Sequence, residues 1–305
     1  MIELDFINID QKKVNKIKEK SIDRIYQNEE MRNFIQENNL SRNFVYEHLS
    51  SFLKVLEDRQ LCEKCNGLNS CPKKGYYFDL EIDKKRNQSN IVYLQCKLIK
   101  KRRKIKDKFI ICDVDTSNFD YELKDCTSYF KEDRKSVLSN MAKIIKENLN
   151  TGLYIYGEKG IGKSFILSIF AKHLTKKREG HFVYVDCRNL IPSMIESSFK
   201  DKDAFLDDLD LLKSVDYLFL DNLGEEDKND FSKESIIYEV LKERKENNLP
   251  TYIASIYSPK ELFNAYRTPK SGNFKTKDII SFIETTSLVI NIPTSCKIAQ
   301  GIFKK

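Results

Sequence analysis

Apolar residues recur at spacings of three and four through the first sixty positions: Ile22, Ile25 and Tyr26, then Met31, Phe34 and Ile35, then Val45, Leu49, Phe52, Leu53 and Leu56. Polar and charged residues separate them, the pattern of helices that bury one face. Asn39 and Ser41 interrupt the pattern, and Ser41 is placed to cap a helix over about 42–58. The alternation then shortens to that of strands at Tyr77–Ile82 and Ile91–Leu94, two short segments within a cysteine-rich stretch. From about residue 130, apolar runs of strand length alternate with helix-length segments. Strands are predicted over 152–157, 182–186, 215–221, 251–256 and 287–292, with helices between most of them. That order implies an α/β fold whose parallel sheet is covered by helices on both faces. No internal repeat or low-complexity tract interrupts it.

The length of 305 residues suggests about two domains of ordinary size. With 40% hydrophobic and 32% charged residues, the composition is that of a soluble globular protein. No apolar stretch is long enough to cross a membrane, and the first ten residues lack the basic-then-apolar pattern of a secretion signal. A cytoplasmic location is the expectation. In that compartment eight cysteines read as thiols or metal ligands rather than disulfides. The net charge of +7 is unevenly placed: Lys97 to Lys108 holds eight basic residues in twelve, against one acid. Such a run suits a solvated basic linker, over 97–130, that can also touch a phosphate backbone.

Chemistry concentrates at Gly157-Glu158-Lys159-Gly160-Ile161-Gly162-Lys163-Ser164. This reads G-x-x-x-x-G-K-S, the phosphate-binding loop of P-loop nucleotidases, with the apolar run Leu153–Tyr156 before it and a helical pattern from Phe165 to Ala171 after it. The glycines let successive backbone N–H groups turn inward around phosphate oxygens, at a helix N-terminus that favours negative charge. Lys163 would reach the outer phosphates of ATP, and the Ser164 hydroxyl would hold Mg²⁺. A second apolar strand, Val215 to Leu220, ends in Asp221, the carboxylate expected to share that Mg²⁺. Asn222 follows it, an amide that can hold water by hydrogen bonding but cannot take its proton. Glu225 and Glu226 lie near enough in sequence to stand in as the base.

Cys62-Glu63-Lys64-Cys65 is a C-x-x-C pair, followed by Cys71 and, beyond the predicted strands, by Cys96. Four thiolates suit tetrahedral Zn²⁺, with the tight first pair as the knuckle of a structural site. Binding would supply on the order of ten kcal/mol to a segment with little apolar mass. A redox reading of the pair requires a strand before it and a helix after it; here it follows a long helix and precedes a loop.

Taken together, these features resemble the bacterial replicative helicase loaders of the DnaI type, more widely DnaC and the transposition helper IstB. The cysteine cluster ahead of the ATPase module, the P-loop within LYIYGEKGIGKS, Leu220-Asp221-Asn222-Leu223-Gly224 and the segment LKERKENNLPTYIASIYSPKEL carry the resemblance. It implies a small helical zinc-binding domain over 1–96 that docks on the helicase, the linker, and an AAA+ ATP-binding domain over 131–305. It implies as partners the replicative DNA helicase, single-stranded DNA and other primosome proteins, and no membrane; a homo-oligomer stays open, since AAA+ modules often assemble in rings or spirals but an arginine finger is missing. Asp221 and Asn222 fall at the family's catalytic positions. Three departures fall in the hydrolysis machinery. Asn222 replaces a second carboxylate, Ile256 replaces the polar end of the sensor strand, and no arginine follows Arg267. Arg267 and Arg244 remain as candidate arginine fingers, and Tyr76-Tyr77 stands where the family has a zinc-ligating His. These losses imply an ATP-bound switch with weak or absent turnover. A non-hydrolysing adaptor and an IstB-like helper are the alternatives, the latter disfavoured by the cysteine-rich N-terminal segment.

Overall fold

A computed structural model describes residues 11–128, 135–147, 149–267 and 273–293. The chain divides into two compact units, Met1–Lys100 and Lys101–Lys305.

In the first unit, helices Gln11–Gln27, Glu29–Glu37, Arg42–Glu47 and Leu49–Glu63 precede an antiparallel hairpin, β1 (Tyr76–Asp83) and β2 (Gln88–Gln95). Ile25, Met31, Ile35, Val45, Phe52 and Leu56 form its core, the residues whose spacing predicted the helices. Ser41 caps as expected, accepting the Phe44 N–H at 3.1 Å. The helix expected over 42–58 breaks at His48, however. Phe44 and Phe52 meet edge to face at 6.5 Å, whereas a straight helix would set residues eight apart roughly 12 Å from each other. The break lets the two rings touch inside one core. The helix Leu49–Glu63 is pinned to the hairpin by polar contacts. Buried Asp58 accepts the Phe78 N–H at 2.7 Å and pairs with Lys73, and Arg59 pairs with Asp79 at 2.7 Å.

The second unit is built on six parallel strands: β3 (Phe109–Cys112), β4 (Gly152–Tyr156), β5 (Phe182–Asp186), β6 (Tyr217–Leu223), β7 (Thr251–Ser255) and β8 (Ser287–Asn291). Their order across the sheet is β3-β5-β6-β7-β4-β8. Alternate residues face opposite layers, as the two-residue repeat of a strand demands. Leu153 and Ile155 join one core with Phe170, Phe219 and Tyr252, while Tyr154 joins the other with Ile191, Met194 and Leu209. All five predicted strands are present within a residue or two.

One expectation is corrected. The stretch 97–130, read as a basic linker, is structured where it is described, up to residue 128. It contains a helix, Lys97–Lys106, the edge strand β3, and a 3-10 turn Thr116–Asp120. Ile105 is buried in the helix, and Arg102 pairs with Asp120. Lys97, Lys100, Lys101, Arg103, Lys104 and Lys106 stay exposed. A solvated charge run on one side of a helix conceals how few apolar positions are needed to anchor the other. Phe109, Val114 and Phe119 then continue into the core.

Candidate nucleotide site

Parallel strands place their carboxyl ends along one edge of the sheet, where ligands of such folds collect. β4, β5 and β6 deliver the site there. β4 ends at Tyr156, the loop Gly157–Gly162 follows, and the helix Lys163–Lys177 begins at once. The loop needs its glycines. Gly157 has φ +149, and a Cβ there would lie 2.5 Å from the Ile292 carbonyl oxygen; Gly162 caps the helix at φ +90. Lys163 is buried and bonds back to the Gly157 and Glu158 carbonyls at 2.8 and 2.9 Å. Burial lowers its pKa, partly offset by the charges of Glu225 and Asp221. Ile161 turns inward and is buried in the core.

Asp221 meets Ser164 across this edge. Ser164 Oγ donates to Asp221 Oδ1 at 2.9 Å, and the buried Tyr184 hydroxyl donates to Oδ2 at 2.9 Å. Burial pushes the Asp221 carboxyl upward, and the bonds from Ser164 and Tyr184 counter it. Two hard oxygen donors side by side at the phosphate loop fit a magnesium ion. Ser164 and Asp221 would hold it there, and it would supply charge neutralisation to the outer phosphates. Tyr184 escaped sequence reasoning; its signal is the register that sets Asp186 opposite Asp221 and so brings the end of β5 beside the acid.

β6 changes register between Leu220 and Leu223, and Asn222 takes φ +57. Such a bulge re-aims side chains, and asparagine tolerates the left-handed region. Asn222 Nδ2 donates to Asp186 Oδ2 at 3.0 Å. Asp186 also accepts from Arg188, through Nε at 3.0 Å and Nη2 at 2.6 Å. A cavity at this edge is lined by Lys159, Gly160 and Gly162 of the loop, by Lys163 and Ser164, and by Arg188, Asn222 and Glu225. Sequence reasoning missed Arg188.

The structure separates the two glutamates. Glu225 lines the cavity. Glu226 is buried elsewhere, accepting the Gly224 N–H at 2.6 Å and the Tyr266 hydroxyl, so it is no candidate base. Ser255 is buried too, its hydroxyl donating to the Leu223 carbonyl at 2.6 Å; Ile256 beside it offers no polar group. Arg244 is likewise corrected as an arginine finger. It is 1% exposed, and its guanidinium is spent on the carbonyls of Leu212, Val215 and Pro250 and on the Thr251 hydroxyl. Arg267 is exposed at the end of helix Pro259–Tyr266.

The four cysteines are gathered in the first unit without the tight set expected for zinc. Among the described residues, no three of His, Cys, Asp and Glu come together closely enough to hold a metal ion. Cys62 nevertheless lies within electrostatic reach of Cys65, Cys71 and Cys96. Burial and then those three thiolates raise its pKa. Backbone N–H groups of Gly67 and Gly75 point at the sulfurs of Cys65 and Cys71, at 3.4 and 3.3 Å. Four cysteine sulfurs in one unit, two of them met by backbone N–H groups, are donors of the type zinc takes, but they are not brought into a closed set.

Residues 132–271 match the family model of the bacterial DnaA ATPase domain. Among the described residues no helix is long and apolar enough to cross a membrane. A crystal structure of DnaI superimposes with a TM-score of 0.53 at 23% identity, covering 61% of this chain and 98% of that one. The replicative helicase loader DnaI of Bacillus subtilis is 24% identical over 278 residues, 86% of this chain and 85% of the relative. The chain therefore joins an α/β module similar to the bacterial DnaA ATPase domain to a cysteine-bearing helical unit and, over most of its length, resembles the DnaI-type replicative helicase loaders.

Proposed function

We propose that this protein is an ATP-binding loader that engages the replicative DNA helicase and delivers it to single-stranded DNA. The observation that carries the reading is the Ser164–Asp221 pair at a phosphate loop, in a chain resembling a helicase loader over 86% of its length. Gly157 to Ser164 would wrap the phosphates of ATP, Lys163 would turn from its loop carbonyls to the outer phosphates, and Ser164 and Asp221 would hold Mg²⁺. Asn222 and Glu225 would face the attacking water. The first unit would dock on the helicase, with Cys62, Cys65, Cys71 and Cys96 drawn in around a structural Zn²⁺. The exposed basic face of helix Lys97–Lys106 would lie along the DNA backbone.

The test is ATP binding and helicase capture by purified protein, beside Lys163→Ala. Wild type is expected to bind Mg-ATP and to retain the helicase and place it on single-stranded DNA. Lys163→Ala is expected to lose ATP affinity at least tenfold and to stop delivering helicase while still binding it. A protein that binds ATP but ignores the helicase would sink the loader reading.

A further inference from the structure

The cavity contains one basic group that the phosphate loop does not supply. Arg188 stands in the first turn of the helix Cys187–Lys200, whose cap is Asp186 at the end of β5. An arginine paired with a carboxylate two residues away is ordinarily surface decoration. Here three observations set it apart.

Arg188 lines the same cavity as Lys159, Lys163 and Ser164. It is clamped by two donors on one carboxylate, which fixes the direction of the fork. The same carboxylate takes the amide of Asn222, the residue after the magnesium-position acid. A carboxylate only accepts, so the Asn222 NH₂ faces Asp186 and its carbonyl oxygen faces away. Arg188 Nη1 has no hydrogen-bond partner among the described residues, and the side chain is 45% exposed. The group is therefore held in place yet keeps donors to offer. Of the two candidate fingers, Arg244 is consumed internally, while Arg267 stays exposed and does not line this cavity.

We propose that Arg188 is the arginine that recognises the γ-phosphate in this site, supplied by the same chain that binds the nucleotide. A terminal phosphate between Lys163 and Arg188 would meet two cations, whereas ADP would engage the loop and leave Arg188 on Asp186. Discrimination of ATP from ADP is then a property of a single chain. It is relayed through Asp186 to Asn222 on β6 and to the start of the helix Cys187–Lys200. This inference rests on the ATP-binding reading above.

The experiment measures equilibrium binding of ADP and of a non-hydrolysable ATP analogue to the full-length protein, to Arg188→Ala and to Arg188→Lys. The wild type should prefer the triphosphate. Arg188→Ala should weaken the triphosphate about tenfold or more while leaving ADP within twofold, and Arg188→Lys should recover part of the loss. The preference should persist at protein concentrations where the chain is monomeric. An unchanged ratio in Arg188→Ala, equal loss of both nucleotides, or a preference that appears only on self-association would each overturn the assignment while leaving ATP binding intact. Wild type that binds neither nucleotide would overturn the ATP-binding reading and this inference together.

Discussion

Arg244 holds the ends of three segments together from inside the second unit. Burial without a paired carboxylate lowers its pKa to about 9, partly offset by Tyr252 and Asp216, and its bonds run to carbonyls and one hydroxyl. Arg244→Met would leave those carbonyls unsatisfied. We expect a loss of about 3–5 kcal/mol in urea unfolding, with nucleotide affinity per folded molecule unchanged. A trans-acting finger would give the reverse pattern. Glu122 carries a second residue-scale prediction. Burial would raise its pKa, but the hydrogen bond from Lys172 and the charges of Lys172, Lys176 and His173 outweigh it and hold the carboxyl at about 2. A folded pKa depressed below the unfolded 4.5 contributes stability that is present above 4.5 and lost as pH falls toward 2. Glu122→Gln should remove that acid limb from a plot of melting temperature against pH. At neutral pH it should also cost roughly 1–3 kcal/mol, because Lys172 is fully buried.

Among the elements, the helix Lys97–Lys106 was least legible from the chain. Eight basic residues in twelve mask the spacing of Ile99, Arg102 and Ile105, and only packing shows that these three suffice to anchor a helix. Lys100, Arg103 and Lys104 share its exposed face. Changing all three to Glu is expected to weaken single-stranded DNA binding and to lower the salt slope by about two, with the melting temperature unaltered. Binding measured across a salt series checks this; an unchanged slope would remove the helix from the DNA path. Strands were far more legible, because a parallel strand buried on both faces reads as an unbroken apolar run. The helix break at His48 was not, because local spacing fits a straight helix and the edge-to-face contact of Phe44 with Phe52 is tertiary.

At the scale of the molecule, the first unit has a small core, to which the hairpin adds Phe78, Leu80 and Ile82, and we propose that the segment bearing Cys62, Cys65, Cys71 and Cys96 draws further stability from zinc. Protein purified with zinc is expected to hold one ion per chain and to lose protease resistance around residues 62–96 when chelated. Cys62→Ser should reproduce that loss while leaving nucleotide binding by the second unit intact. Zinc-free protein that melts identically would end the metal proposal.

The phosphate loop, its flanking strand and helix, and the acid of β6 were determined by the chain alone, because each is a local pattern whose backbone and side-chain requirements are met by neighbours in sequence. Tertiary structure alone decided which polar groups reach the site. Glu225 and Glu226 are adjacent, yet one lines the cavity and the other is buried against Tyr266. Arg244 and Arg188 are both arginines near apolar runs, yet the fold buries the first and sets the second beside the loop. The reason is physical. Sheet order, the β6 bulge at Asn222 and the meeting of β5 with β6 bring together residues 57 apart at Ser164 and Asp221 and 36 apart at Asp186 and Asn222, and no local pattern encodes a distance across strands.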